Sequence, residues 1–174
     1  MPRLELMPDC KRAYHAINVV LDHEKGLVDH PNDPGGITNW GISLRSYPHL
    51  GSDGIRNLTK EQATEIYYKD WWIRYKYNQI ENLTIATKIL DIAVNIGPVN
   101  ANRILQRAVN FLADDVLKVD GVLGPKTFAA VKSCRADKLH KVLQFKIAEY
   151  YHALAKARQS ARVFLMGWLN RAYS

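Results

Sequence analysis

In residues 25–58 the apolar residues show neither helical nor strand periodicity, whereas in the rest of the chain their spacing predicts a series of amphipathic helices. This segment is rich in Gly, Pro, Asn, Asp and Ser. Connections of that length are uncommon in compact domains and usually carry function. A short pair of strands is expected inside it, around Thr38 to Ser43. We therefore predict an all-α fold with a small β-hairpin or irregular flap near its N-terminal end.

The predicted first helix covers residues 11–24. Its apolar stripe includes Tyr14, Ile17 and Leu21 at helical spacing. The same stripe reaches Glu24, so that its side chain is expected to point toward the core rather than into solvent. A glycine two residues later ends the helix.

Six further helices are predicted from the same periodicity and from signals at helix ends. One begins at the capping box Thr59-Lys60-Glu61-Gln62, and another begins with Pro125 at its first position. They cover residues 60–75, 84–95, 99–112, 125–134, 139–154 and 161–172. A chain of 174 residues, 47% of them hydrophobic, fits a single domain of two lobes, residues 1–82 and 83–174.

The net charge of +7 comes entirely from the C-terminal end of the chain. Residues 1–131 hold 15 basic and 15 acidic side chains, whereas residues 132–174 hold nine basic ones against Asp137 and Glu149. A basic surface attracts polyanions, although a solvated helix face is the plainer interpretation. Because no nucleic-acid-binding motif is present, we expect this end to bind anionic envelope polymers and not nucleic acid.

No segment approaches the roughly 20 consecutive apolar residues of a membrane-spanning helix. Residues 1–11 lack the apolar core of a secretory signal peptide, so we expect synthesis in the cytoplasm without one. Cys10 and Cys134 match no metal-binding or redox spacing, and whether they are bonded stays open. None of the six histidines belongs to a His-Glu-x-x-His motif, which disfavours a zinc enzyme.

Two carboxylates frame the start of the long loop. Glu24 closes the first helix, and Asp33 follows nine residues later among glycines and prolines. Glycoside hydrolysis uses such a pair: partial burial keeps one carboxyl protonated as the acid, while the other is ionised. Glu24 suits the first role and Asp33 the second, with the Thr38 hydroxyl placed to hold a water. Alternatively, Glu24 is an ordinary helix-end residue and Asp33-Pro34-Gly35-Gly36 a plain turn.

The loop also resembles a known family. From Glu24-Lys25-Gly26 through Asp33-Pro34-Gly35-Gly36-Ile37-Thr38-Asn39-Trp40-Gly41-Ile42, it is similar to the signature of glycoside hydrolase family 108, the phage endolysin-type N-acetylmuramidases. The similarity continues in order through residues 90–97, 105–106, 120–127 and 167–171. The main departure is Lys25, where the family usually has glycine, and this puts a side chain beside the expected acid.

The resemblance implies a lysozyme-like helical fold. It also implies hydrolysis, without a cofactor or a metal, of the β-1,4 bond between N-acetylmuramic acid and N-acetylglucosamine in bacterial peptidoglycan. Glu24 would be the general acid, with Asp33 and Thr38 in places similar to the Asp and Thr of phage-type lysozymes. If these two hold the attacking water, the reaction inverts the anomeric centre. We expect a monomer that reaches the cell wall by holin-type release or dedicated secretion.

Four more residues are candidates for substrate binding: Asn39, Trp40, Asp91 and Asn95. The first two belong to the signature itself. Asp91 and Asn95 lie four residues apart, on one face of a predicted helix. They either line the glycan groove or anchor the catalytic loop, and the sequence favours neither.

Five aromatic side chains offer surfaces on which sugars could stack, although aromatic residues at helical spacing more often belong to the core. They are Trp40, Tyr67, Tyr68, Trp71 and Trp72. Adjacent Trp71 and Trp72 cannot face the same way, so one of them is expected to be exposed. Residues 120–127 resemble a motif of helical peptidoglycan-binding modules, and we interpret them mainly as a loop followed by a helix cap.

The residues alone leave two rival functions open. A lytic transglycosylase would use the same Glu24 but close an internal anhydro ring instead of adding water. A non-catalytic wall-binding or adaptor module would bind peptidoglycan without cutting it.

Overall fold

The computed structural model describes residues 9–24, 26–28, 36–113 and 116–174. The chain divides into two compact units, Met1–Asn78 and Gln79–Ser174. Both units are mainly helical, and the first contains a small antiparallel sheet. The predicted fold class, mainly helical with a small β element, is confirmed. The expected organisation as a single domain stays a prediction.

In the described part of the first unit, a helix and a sheet are followed by two short helices. Its elements are α1 (Cys10–His23), β1 (Leu27–Val28), β2 (Thr38–Asn39), β3 (Ile42–Ser43), α2 (Gly51–Arg56) and α3 (Lys60–Tyr67). A 3-10 turn at Pro48–Leu50 precedes α2, and α3 passes into a π-helical turn at Tyr68–Ile73. The helix predicted over residues 60–75 is thus a regular helix followed by a widened turn.

Helix α1 buries a stripe that differs slightly from the predicted one. Its buried residues are Ala13, Ala16, Ile17, Val20 and Leu21, with the spacing of one helix face. Tyr14, expected on this stripe, is 57% exposed. Small residues form the start of the stripe, so the helix packs closely against α3 and the π-helical turn. Glu24 lies three turns after Ala13 and continues the corrected stripe.

The three short strands form an antiparallel sheet in the order β1-β2-β3. Thr38 lies opposite Val28 on one side and Ser43 on the other, while Asn39 lies opposite Ile42. This register leaves two residues, Trp40 and Gly41, in the β2–β3 turn. Both have a positive φ, 53° and 75°, as a two-residue type I′ hairpin turn requires. The hairpin predicted around Thr38 to Ser43 is confirmed.

Helix α3 begins at the predicted capping box. The Thr59 hydroxyl accepts a hydrogen bond from the backbone N–H of Gln62 (3.2 Å), and the Gln62 side chain accepts one from the N–H of Thr59 (2.9 Å). These two bonds satisfy backbone donors that a helix start otherwise leaves open.

Five helices lie in the described part of the second unit, each within a few residues of its predicted range. They are α4 (Leu83–Ile96), α5 (Pro98–Leu112), α6 (Pro125–Ser133), α7 (Ala136–Ala157) and α8 (Leu165–Tyr173), with a 3-10 turn at Gln159–Phe164 before the last. Every residue of α4 from 85 to 93 is buried, and this helix packs against α5 and α7. Among the described helices, none combines the length and apolar character needed to cross a membrane.

Helix α5 holds the loop that follows it through three side-chain amides on one face. Asn102 donates to the carbonyl of Gly121 (3.0 Å), and Asn110 exchanges two hydrogen bonds with the backbone of Leu117 (2.7 and 2.9 Å). Between them, Gln106 accepts from the N–H of Gly121 (2.8 Å) and donates to Asp120 and to the carbonyl of Val122. These contacts agree with the interpretation of residues 120–127 as a loop and cap.

Candidate active site

Glu24 lies where α1 meets the sheet. It is the C-cap residue of the helix, and its backbone N–H donates to the carbonyl of Val20 (2.9 Å). Its side chain is half-buried. Strand β1 begins three residues later, at Leu27, so Glu24 lies between the end of α1 and the first strand along the chain.

The β2–β3 turn lies directly against the Glu24 side chain at Gly41. A Cβ atom built on Gly41 would lie 3.0 Å from both Cβ and Cγ of Glu24 and 2.5 Å from the hydroxyl oxygen of Tyr67. These distances are shorter than ordinary contacts of a methyl group, so only glycine fits between the two side chains. The positive φ of Gly41 favours glycine for a second, independent reason.

Three side chains fix this hairpin to the surrounding helices. Tyr67, fully buried in α3, donates its hydroxyl hydrogen to the carbonyl of Trp40 (3.0 Å). The indole N–H of Trp40 donates to the carbonyl of Leu58 (3.1 Å). Asn39 donates from its amide to the same Leu58 carbonyl and to those of Ile55 and Arg56.

The predicted partners of Glu24 are only partly described. Thr38 lies on the central strand, half-buried, and its hydroxyl donates to the carbonyl of Gly36 (3.4 Å). Because side chains alternate along a strand, Thr38 faces the side of the sheet opposite to Asn39 and Ile42. Asp33 and Lys25 lie outside the described residues. The catalytic roles of Asp33 and Thr38 stay predictions.

The substrate-binding candidates of the hairpin have clear structural contacts. Asn39 is 7% exposed, and its amide hydrogens are used by two carbonyls at the end of α2 and by that of Leu58 in the α2–α3 connection. Trp40 is half-buried. The structure thus gives both residues a part in holding the hairpin, while substrate contact by either stays a prediction.

Asp91 and Asn95 lie on α4 in the second unit. Asp91 is 1% exposed and accepts two hydrogen bonds from the Arg171 guanidinium, at 3.1 and 2.8 Å. Lys88 donates to the carbonyl of Arg171 (2.9 Å), and burial lowers the pKa of this lysine despite the nearby Asp91. Asn95 is exposed at the end of α4 and accepts from the Tyr151 hydroxyl (2.8 Å). Asp91 therefore anchors the C-terminal helix α8 to α4.

Two known protein families match successive parts of the chain. Residues 17–97 match the family described as Glycosyl hydrolase 108, and residues 100–173 match the one described as Predicted Peptidoglycan domain. The solved structure of Brucella abortus SagA is similar, with 31% identity, a TM-score of 0.75, and coverage of 94% of this chain and 90% of that one. The chain belongs to glycosyl hydrolase family 108. No curated protein sequence matches it significantly.

As a member of glycosyl hydrolase family 108 with a peptidoglycan domain, the protein is a peptidoglycan hydrolase of N-acetylmuramidase type. Peptidoglycan is therefore its substrate and partner. This confirms the family and the enzyme class that the sequence predicted. The match to the hydrolase family includes Glu24, the hairpin and α4.

Trp71 and Trp72 divide as expected between surface and core in this hydrolase. Trp72 is fully buried, and its indole N–H donates to Asp9 at the start of α1 (3.2 Å). Trp71 is half-exposed and packs between the rings of Tyr67 and Tyr75. Trp71 is therefore the member of the pair with surface open to a ligand.

The sequence did not indicate which residues hold Glu24 in place. The sequence indicates Tyr67 only as an aromatic surface, whereas in the structure its hydroxyl donates to the turn beside Glu24. Gly41 belongs to the family signature, and a glycine between two short strands is a signal of a two-residue hairpin turn. Tyr67 lies 26 positions after Gly41 and 27 positions after Trp40. No periodicity connects residues so far apart, so the sequence contains no signal of this contact.

Proposed function

We propose that Glu24 is the general acid of this N-acetylmuramidase-type hydrolase. The observation that carries the proposal is the position of the half-buried Glu24 side chain, at the end of a buried helix stripe and with its Cβ and Cγ atoms against the turn of the sheet. A general acid has to reach the glycosidic oxygen, and the partial exposure of the Glu24 side chain allows this. The matched hydrolase region, residues 17–97, includes Glu24.

In the proposed reaction, Glu24 donates its proton to the oxygen that links N-acetylmuramic acid to N-acetylglucosamine. The bond from C1 to that oxygen breaks while a water oxygen attacks C1 from the opposite face. The water's proton passes to Asp33, and the Thr38 hydroxyl orients the water. Attack from the opposite face inverts the anomeric centre. The position of Thr38 on the strand that carries the Glu24-contacting turn supports its part in this scheme.

The test is Glu24→Gln, which keeps the size of the side chain and removes the acid proton. We expect the rate of glycan cleavage to fall by about 10²–10⁴-fold, the usual contribution of a general acid, while binding to purified sacculi is retained. The matched control is Asp22→Asn, which removes an exposed carboxylate from the same helix. Full activity of the Glu24→Gln variant, or equal losses in both variants, would refute the proposal.

Mass spectrometry of the released fragments then distinguishes the chemistry. Hydrolysis leaves reducing N-acetylmuramic acid ends, whereas a lytic transglycosylase leaves anhydro ends that are lighter by the mass of one water. We expect reducing ends, because the scheme adds a water oxygen to C1.

We also propose that the C-terminal basic end binds anionic envelope polymers. Five basic side chains there are exposed, and no carboxylate among the described residues pairs with them: Lys138, Lys141, Lys156, Arg158 and Arg162. The chain has no acidic residue after Glu149. Such a surface supports electrostatic attraction to a polyanion beside the peptidoglycan.

A last proposal concerns the route to the wall. We propose an endolysin-type, bacteriolytic hydrolase of phage type that acts as a monomer after holin-type release or dedicated secretion. The resemblance of residues 24–42 to endolysin-type enzymes supports it. Expression in a bacterial cytoplasm should leave the cells intact until a holin is co-expressed, and lysis should then follow. Lysis at the same rate without the holin would contradict this route.

A further inference from the structure

We propose that Tyr67 is a positioning residue for Glu24, acting through the peptide of Trp40 and the α-carbon of Gly41. The inference rests on the proposed role of Glu24 as the acid. It adds that the catalytic carboxyl is held by a contact chain that begins at a single buried hydroxyl.

The first step of the argument is the closeness of the turn to Glu24. The space beside the Cβ and Cγ atoms of Glu24 is so narrow that a methyl group on Gly41 would overlap them, at 3.0 Å. The backbone of Gly41 therefore forms one wall of the space that the Glu24 side chain occupies. A displacement of this backbone by a few tenths of an ångström changes which rotamers that side chain can adopt.

The second step is that the turn does not hold its shape by itself. Trp40 has a φ of 53°, a left-handed conformation that costs free energy in any residue with a Cβ atom. Such a conformation persists only where the surrounding structure determines it. Two described hydrogen bonds of the Trp40 residue do so, one from the Tyr67 hydroxyl to its carbonyl and one from its indole to Leu58.

The third step is that Tyr67 itself cannot move easily. It is 0% exposed, lies in the last turn of α3, and packs against Trp71. Its hydroxyl oxygen lies 2.5 Å from the place of a Gly41 Cβ, so it contacts the turn at two adjacent residues. A rigid helix thus fixes the Trp40 carbonyl and the Gly41 α-carbon together, and these in turn limit the Glu24 carboxyl.

The test is Tyr67→Phe, which removes one hydroxyl and keeps the ring. Misplacement of a reacting group by about an ångström lowers rates by up to about 100-fold, and we expect the loss of one restraint to lower kcat about tenfold. KM for soluble glycan oligomers should stay within about twofold, because Tyr67 is buried and does not touch the substrate. Circular dichroism and the thermal midpoint check that the variant is folded at the assay temperature.

The matched control is Tyr68→Phe. Tyr68 is the adjacent residue and is also buried, but its hydroxyl lies near Asp9 and Cys10, at the start of α1 rather than at its end. Burial raises the pKa of the Tyr68 hydroxyl, and the charges of Asp9 and Cys10 raise it further. A general loss of stability would affect both variants. The positioning role predicts a lower kcat in the Tyr67→Phe variant alone.

A second readout separates this inference from the proposed function. In the Glu24→Gln background there is no acid to position, so Tyr67→Phe should leave the residual rate unchanged. If Glu24→Gln lowers activity but Tyr67→Phe leaves kcat at the wild-type value, the positioning role is refuted and the acid role stands. If Glu24→Gln has full activity, the acid role fails first.

Discussion

At the scale of single residues, the turn of the sheet is the most constrained part of the described site. Trp40 and Gly41 both have positive φ, and Gly41 lies between the side chains of Glu24 and Tyr67. A larger residue at position 41 would have to satisfy a backbone preference and a steric limit together. A substitution of Gly41 is subject to both effects, whereas one of Gly51, in the same unit, is subject to the backbone preference alone.

Gly41→Ala should lower both stability and activity. The positive φ costs about 1–2 kcal/mol for alanine, and the overlap with Glu24 and Tyr67 should add about 1–3 kcal/mol, the usual cost of overpacking. The change in the free energy of unfolding can be measured by urea denaturation. The rate of glycan cleavage should fall as well, because the added methyl group displaces the Glu24 side chain.

Gly51→Ala is the control for this prediction. Gly51 has a φ of 66°, close to that of Gly41, but a Cβ there would meet nothing within 4 Å. Its loss should therefore reflect the backbone alone, and cleavage should continue at the wild-type rate. Equal losses of cleavage rate in the two variants would show that the space beside Glu24 is not restrictive.

At the scale of elements, α5 stabilises its following loop through side chains instead of regular secondary structure. Gln106 is 1% exposed and makes three hydrogen bonds to residues 120–122. The loop is also closely packed, because a Cβ on Gly121 would lie 2.9 Å from the carbonyl oxygen of Val99. This loop leads directly to α6, so its geometry sets where that helix begins.

Gln106→Met should destabilise the protein by about 2–4 kcal/mol. Methionine has a similar length but no amide, so the buried N–H of Gly121 loses its acceptor, at about 1–3 kcal/mol. The Val122 carbonyl loses its bond to Gln106 and keeps only the longer one from the Thr127 hydroxyl (3.5 Å). Thermal and urea denaturation measure the loss. Gln144→Met is the control, since Gln144 makes one exposed hydrogen bond, to the Tyr173 carbonyl, and should cost under about 0.5 kcal/mol.

The same contact should appear in the pH dependence of stability. The Gln106 amide, followed by the Val122 N–H, lowers the pKa of Asp120 below its ordinary value of 3.8. A carboxylate with a lowered pKa contributes stability above pH 3.8, and this contribution is lost as the pH falls through its folded-state pKa. The stability gap between wild type and Gln106→Met should therefore narrow below pH 3.8. A gap that does not narrow at all between about pH 5 and about pH 1 would contradict this.

The sequence predicted these elements well where the signal was local. Apolar periodicity, the Thr59 capping box and Pro125 placed α1 and α3 to α8 to within a few residues, and the loop composition predicted the hairpin. The short helix α2 was missed, because it lies in the segment without periodicity. The sequence did not predict the contacts that fix the site. Asn39 donates to carbonyls 16 to 19 residues away, and Arg171 binds Asp91 across 80 residues. Such bonds depend on tertiary packing and leave no pattern along the chain.

At the scale of the whole molecule, the division into compact units does not coincide with the division into families. The first unit ends at Asn78, whereas the hydrolase match extends to residue 97 and so includes α4. Helix α4 packs against α5 and α7, which belong to the peptidoglycan domain match. The hydrolase sequence therefore contributes the central buried helix of the second unit, and we expect neither family segment to fold well without the other.

The charge of the whole molecule is the last property that can be tested. Replacing Lys156, Arg158 and Arg162 by glutamine removes three exposed cations from the C-terminal end. Binding to sacculi that carry anionic polymers should weaken several-fold at low salt and depend less on ionic strength, because screening then has less attraction to remove. Sedimentation at increasing salt measures this.

The control replaces three exposed cations outside this end, Lys11, Arg107 and Lys126, at the same loss of net charge. If both triple variants bind equally weakly, net charge alone explains the attraction and the C-terminal end has no special part in it.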